Sequence, residues 1–257
     1  MAYKIAFFDI DGTLVDEEKR IPADTIDAIR RLKERGIEPV IATGRAPYFF
    51  KELAEEAGIE SFVSLNGAYV KYKGQDLYES QIPPEVLEKL VALAQKNKHE
   101  LVFEGKEAYF STAPDHPAVF EAVASLRVTH PEADADFWKK AGIYQVFLHC
   151  ESHEEHLYPA ELPELRFVRW HAKALDVLPT AGSKAEGIQA LLDSLGIKPE
   201  EAIAFGDGLN DKEMLQLVGL GIAMGNSHKE LLPYADYVTT NVDEGGVKNG
   251  LEFAGVL

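Results

Sequence analysis

Residues 3–8 are apolar except for Lys4, and two aspartates, Asp9 and Asp11, stand at the end of that run, where Gly12 marks a turn. An apolar run without alternation suits a strand buried on both faces, as in a parallel sheet, better than a strand with one wet side. Residues two apart on an extended chain point the same way, so Asp9 and Asp11 share one small space at the carboxyl edge of the sheet. Ligands bind at that edge in open α/β sheets. The rest of the chain must then supply helices to cover both faces.

It does so by alternation, which favours a doubly wound α/β fold. Ile26, Ile29 and Leu32 recur at helical spacing, and Gly36 follows as a stop. A strand over 39–42 runs into Thr43-Gly44-Arg45, a helix follows to about Ala57, and 62–65 forms a third strand. Asn66-Gly67 turns, and 68–80 reads as a hairpin with Lys73-Gly74 near its tip. The pattern breaks at Ile82-Pro83-Pro84, and alternation resumes after Pro179-Thr180-Ala181-Gly182. The expected division is a core of residues 1–81 and 182–257 with an α+β insert over 82–181. The insert carries helices over 85–97 and 118–125 and strands near 101–103, 108–111, 144–150, 166–170 and 175–178.

The resumed half opens on a capping box, Ser183 with Glu186, which places Lys184 at the first helical position. A cation there opposes the helix dipole by a few tenths to about 1 kcal/mol. An anion held jointly by the lysine and the helix end removes the conflict; a solvated surface lysine is the plainer alternative. Next, an apolar strand over 202–205 ends in Gly206-Asp207-Gly208-Leu209-Asn210-Asp211. Alone this would be a surface turn. With both strands central in one sheet, Asp9, Asp11, Asp207 and Asp211 converge, and like charges about 4 Å apart repel by roughly 4 kcal/mol at a surface-like dielectric. Carboxylate, carbonyl and water ligands suit a hard cation, and few protein ligands suit Mg²⁺. An EF-hand is a poor match, because Gly12 comes too early and a strand precedes it.

Charge narrows the partners. With 26 Lys+Arg against 43 Asp+Glu the formal charge is −17, so no extended field attracts nucleic acid or anionic lipid. No apolar run is long enough to span a bilayer, and no signal-peptide pattern opens the sequence. A single cysteine, Cys150, agrees with a reducing compartment, so a cytoplasmic location is expected. No heptad seam favours either a monomer or a dimer.

The ordered set Asp9-Ile10-Asp11-Gly12-Thr13, Thr43-Gly44-Arg45, Lys184 and Gly206 through Asp211 resembles the haloacid dehalogenase superfamily, and within it the Cof-type phosphatases with a large cap. The stretch from Met214 to Asn226 is also similar to that subgroup; Gly208 departs from its frequent serine. The resemblance implies a Rossmann-like core with the α+β insert as cap, and Mg²⁺-dependent hydrolysis of a small phosphorylated metabolite. It implies Asp9 as nucleophile, forming an aspartyl-phosphate, and Asp11 as general acid and base. Asp9, Asp11 through its backbone carbonyl, and Asp207 would hold Mg²⁺. Ile10, Thr43, Gly44, Lys184 and Asn210 would bind the phosphoryl group, with Asp211, Gly12 and Arg45 in support. The insert would be a lid, with 82–84 and 179–182 as hinges. A phosphohexomutase is the alternative within this chemistry, and a phosphometabolite sensor the alternative outside it.

Other patterns carry less. The run Gly219 to Gly225 has the last glycine of a dinucleotide fingerprint one residue late. The eight histidines lack metal-ligand spacing. His149 beside Cys150 suits a core or sheet-face position; for Trp170-His171 in the insert a substrate-facing role is the alternative to a packed tryptophan beside a surface histidine, the plainer reading. Asn66-Gly67, beyond the third strand, is allowed a minor substrate role.

Overall fold

The computed structural model describes residues 2–257. The chain forms β1 (Ile5–Phe8), α1 (Ala23–Glu34), β2 (Glu38–Ala42), α2 (Lys51–Ala57), β3 (Ser61–Ser64), β4 (Tyr69–Tyr72) and β5 (Gln75–Glu79). It continues through α3 (Pro84–Asn97), β6 (Glu100–Glu104), β7 (Tyr109–Ser111), α4 (Pro117–Ser125), β8 (Glu132–Ala133), β9 (Gln145–His149), β10 (Leu165–His171) and β11 (Ala174–Pro179). It closes with α5 (Lys184–Leu195), β12 (Ala202–Gly206), α6 (Lys212–Leu217), β13 (Leu220–Ala223), β14 (Tyr237–Val238) and α7 (Gly246–Phe253). Two units result. One takes the chain up to Arg45, Phe50–Glu79 and Ser183–Leu257; the other takes Ser80–Gly182 together with the short segment Ala46–Phe49.

In the first unit an eight-stranded sheet has the order β14-β13-β12-β1-β2-β3-β4-β5. β1 pairs in parallel with β12 on one side and β2 on the other, so it is central and every residue is buried. Alternation across the sheet then divides the strand between two cores. Ala6 and Phe8 join Ile29, Leu32, Phe205, Val247 and Leu251 on one face; Ile5 and Phe7 join Val40, Ile188, Leu191, Met214 and Leu215 on the other. The Phe8 and Phe205 rings stack with centroids 5.1 Å apart. Helices thus cover both faces, which makes the sheet doubly wound. β4 and β5 reverse direction through Lys73 (φ 46°) and Gly74 (φ 82°), the two left-handed positions of a tight hairpin.

The second unit holds a six-stranded sheet of order β10-β11-β9-β6-β7-β8. α3 lays Leu87, Leu90 and Ala94 against Leu101, Phe103, Val146 and Leu148, while Val119 and Val123 of α4 join Val102 and Phe147 in a separate cluster. Two features escape the sequence pattern. β8 is two exposed residues with no apolar period to read. Ala46–Phe49 groups with this unit because aromatic rings fasten it: Tyr109 stacks on Tyr48 at 5.4 Å and meets Phe49 edge-on at 4.8 Å. Among the described residues no helix is long and apolar enough to cross a membrane.

Candidate active site

Asp9 follows β1 directly, and its amide donates to the Phe205 carbonyl at 3.0 Å, so pairing with β12 continues one residue past the strand and sets where the carboxylate stands. Lys184, the first residue of α5, is buried against it. Its Nζ lies 2.7 Å from Asp9 Oδ1 and 2.6 Å from Asp211 Oδ1. The lysine is therefore not solvated, and two carboxylates supply the anion that its position at a helix N-terminus calls for. Burial alone would lower the ammonium's pKa, but Asp211 and Asp9 outweigh it and raise the pKa above the ordinary lysine value. The Ser183 hydroxyl accepts from the Glu186 amide at 3.3 Å, capping the helix as the sequence suggests.

Burial pushes the Asp9 carboxyl well above its usual range, against Lys184 and with added push from Asp211, Asp207 and Asp11. Asp211 is occupied on both oxygens: Oδ2 accepts from the Asp207 and Gly208 amides, both at 2.9 Å. Asp207 is pushed up to about 7 by burial, then by Asp211, against Lys184 and the Thr13 hydroxyl, which donates to its Oδ1 at 3.3 Å. Its carboxylate rests on Gly12. A Cβ at Gly12 would stand 2.3 Å from Asp207 Oδ2, and its φ of +75° also favours glycine.

One oxygen each of Asp9, Asp207 and Asp211 lie within 4.8 Å of one another. Since Asp211 is spent on Lys184 and two amides, Asp9 and Asp207 are the carboxylates left to share a cation. An all-oxygen donor set with two carboxylates fits a hard divalent ion completed by water and substrate oxygens. A cleft of ≈ 670 Å³ opens beside them, lined by Asp11, Gly12, Lys19, Asp207, Asn226 and Asp243 among others.

The Asp11 carboxylate is held by two cations. Arg45 grips it with Nε to Oδ2 at 2.7 Å and Nη2 to Oδ1 at 2.6 Å, and Lys19 Nζ reaches Oδ1 at 2.5 Å. Burial favours the neutral acid, but Arg45 and then Lys19 outweigh it, holding the pKa below the usual carboxylate value. Ile10 is in the core, and its carbonyl accepts from Leu14 and Val15, both at 2.9 Å, to tighten the turn after the strand.

Thr43 is buried past the end of β2, where its amide donates to Val63 O at 2.9 Å and its hydroxyl accepts from the Arg45 amide at 3.2 Å. Gly44 is pressed on Asn66, whose side-chain nitrogen would lie 3.0 Å from an added Cβ. Asn210 donates to Asn66 Oδ1 at 3.2 Å. The strand-to-helix turn is longer than the sequence suggests. A 3₁₀ turn occupies Pro47–Phe49, and Phe50 at φ −131° breaks the run, so α2 begins only at Lys51.

Two contributors, Lys19 and Asn226, were not assigned from the sequence, and a third, Gly67, was expected only in a minor substrate role. Lys19 lies in a turn with no periodic signal. Asn226 donates to Gly12 O at 2.8 Å and accepts from the Val242 amide at 2.9 Å, bracing the Gly12 turn. Gly67 sits so close to α5 that an added Cβ would stand 1.9 Å from Ser183 O. The Asn66-Gly67 turn is thus a seat for the helix that carries Lys184.

Fold and site together define an α/β protein whose sheet edge gathers carboxylates around one buried lysine. A family model for haloacid dehalogenase-like hydrolases matches residues 6–251, and the chain belongs to that family. YkrA of Bacillus subtilis (strain 168), provisionally named a phosphatase, is 42% identical over 257 residues, the whole of both chains. A hypothetical protein from Geobacillus kaustophilus HTA426, of known crystal structure, is 47% identical with a TM-score of 0.94, covering 100% of each chain. The structure of BT4131, described as a sugar phosphatase of haloacid dehalogenase subclass IIB, is 30% identical with a TM-score of 0.87, covering 99% of this chain and 100% of that one.

Proposed function

We propose that this hydrolase is a Mg²⁺-dependent phosphatase of small phosphate monoesters that works through an aspartyl-phosphate on Asp9. The observation that carries the reading is the buried Asp9 carboxylate, anchored on one oxygen by Lys184 and lying beside Asp207 at the sheet edge. Phosphate-ester hydrolysis is slow enough to need accelerations of up to about 10²¹-fold, so a nucleophile, a proton carrier and charge neutralisation must act together.

Asp9 attacks phosphorus while the ester oxygen leaves, and Asp11 gives that oxygen a proton. Asp11 then takes a proton from water, which attacks the phosphoryl group, releases inorganic phosphate and restores Asp9. Mg²⁺ held by Asp9 and Asp207 would neutralise phosphoryl charge and keep Asp9 ionised. Lys184 adds positive charge at the same place, with Thr43 and the Gly44 amide as phosphoryl donors and Asn210 beside them. The grip of Arg45 and Lys19 favours the ionised form of Asp11, the form the water step needs. The protonation step requires Asp11 to leave that grip, so its release belongs to the cycle. The insert serves as a lid that excludes water and selects the alcohol.

The test is phosphate release from a panel of small phosphate esters, in Mg²⁺ or in EDTA, with the wild type and Asp9→Asn compared. Release that needs Mg²⁺ and vanishes in Asp9→Asn is the expected result. Phosphoryl movement within a hexose phosphate without free phosphate would instead establish the mutase, and binding without turnover the sensor.

A further inference from the structure

In the first unit, the turn between β3 and β4 holds three successive residues at positive φ: Leu65 at 52°, Asn66 at 51° and Gly67 at 95°. Glycine enters this region freely and asparagine with little strain, but leucine rarely does. Strained backbone persists only where its surroundings over-determine it, and it collects at functional sites. Here the surroundings can be named. The Leu65 amide donates to Arg45 O at 3.2 Å and the Asn66 amide to Thr43 O at 3.1 Å, while the Leu65 side chain is fully buried. The turn is thus locked to both ends of Thr43-Gly44-Arg45. Gly67 is pressed on Ser183, the residue before Lys184.

The side chain of Asn66 carries the consequence. It is 4% exposed, and its Cγ, Oδ1 and Nδ2 lie 3.3, 3.1 and 3.0 Å from where a Cβ at Gly44 would stand. The flat carboxamide therefore lies across Gly44, where an added Cβ would press on it. From the other side, Oδ1 accepts from Asn210 Nδ2 at 3.2 Å. A carboxamide nitrogen carries two protons. With one of them given to Asn66, the plane of the Asn210 carboxamide is set, and the second proton has a fixed direction for another acceptor. A leucine in place of Asn66 would fill the space on Gly44 but leave Asn210 free to turn.

We infer that Asn66 is a positioning residue of the phosphoryl site: backed by Gly44 and held by the strained turn, its carboxamide fixes Asn210 in the orientation that meets a phosphoryl oxygen. The inference rests on the phosphatase reading, in which Asn210 stands beside the phosphoryl group, and deepens it. Asn66 acts through Asn210 and touches no reacting atom itself.

The experiment compares the wild type with Asn66→Gly, Asn66→Ala, Asn210→Ala and the double variant Asn66→Gly with Asn210→Ala, in Mg²⁺, after thermal melting has established that each is folded. Asn66→Gly removes the carboxamide and the strain together, whereas Asn66→Ala removes the carboxamide and keeps the strain. Two quantities are read, kcat/KM on phenyl phosphate and the affinity for inorganic phosphate by calorimetry. Both changes at Asn66 should lower kcat/KM about 10-fold and weaken phosphate binding in parallel. Asn210→Ala should cost a similar factor, and the double variant no more than Asn210→Ala alone, because the two residues act as one unit. Losses that multiply to about 100-fold in the double variant would overturn the inference. A loss confined to Asn66→Ala would assign the effect to the backbone and overturn it too, as would wild-type phosphate affinity in Asn66→Gly. If the folded wild type released no phosphate from any ester, the phosphatase reading would fail, and the phosphate titrations alone would decide whether Asn66 positions Asn210.

Discussion

Arg45 and Asp11 meet as a two-pronged ion pair, both guanidinium-to-carboxylate distances falling at 2.6–2.7 Å. The pair joins the turn after β1 to the turn after β2, so the proton carrier of the proposed cycle is governed by the neighbouring strand. Lys19 reaches the same carboxylate at Oδ1, the oxygen that Arg45 Nη2 also contacts.

Removing this grip has a pH signature. Asp11 has its pKa lowered by Arg45, so the pair's contribution is present above the unfolded carboxylate value of about 3.9 and is lost as pH falls through the lower folded value. Asp11 keeps 41% of its side chain exposed, so screening limits the effect to about 0–1 kcal/mol. Urea unfolding of Arg45→Ala should show that deficit at pH 7 and a shrinking one below about pH 4. A deficit independent of pH would assign Arg45 a packing role instead.

Lys184 is a different case because it is fully buried between carboxylates that are at most 10% exposed. Lys184→Met leaves Asp9 and Asp211 facing each other in the interior, and breaking a buried pair in this way costs about 3–5 kcal/mol. Denaturant titration should show a loss of that size near neutral pH, with part recovered when acid neutralises Asp9. An unchanged midpoint would mean that the carboxylates find other partners.

Gly12→Ala should be costly at one atom. The new Cβ collides with the Asp207 carboxylate and sits at a positive φ, a combination worth about 1–3 kcal/mol of strain. The Mg²⁺ concentration that half-restores phosphate release after EDTA treatment should rise at least in proportion to the displacement of Asp207. A variant with wild-type Mg²⁺ demand would show that Asp207 is not a ligand.

Asp207 also predicts how metal demand varies with pH. Its pKa, pushed up to about 7 by burial and then by Asp211, means that the cation competes with a proton below neutrality. Half-saturating Mg²⁺ should therefore fall by up to about tenfold from pH 6 to pH 7 and level off above pH 8, with Asp207 releasing close to one proton per ion bound at pH 6 and almost none once the curve is level. A flat profile over that range would leave Asp207 ionised without the metal and contradict its burial as the controlling influence.

Much of this was already legible in the amino-acid order, for identifiable reasons. A short apolar run ended by a glycine turn suits a strand buried on both faces, and the alternation of such runs with helical periods favours a doubly wound sheet. The period of two along β1 put Asp9 and Asp11 at one edge, and the capping box put Lys184 at the start of its helix. What those signals lack is distance across the sheet and the choice of partner for each charge. Only the tertiary structure decided that Lys184 is buried between Asp9 and Asp211. It also decided that Asp11 is held by Arg45 and Lys19, and that Asn66-Gly67 seats α5. Most of these contacts bring together residues far apart in the chain, and no local propensity encodes them.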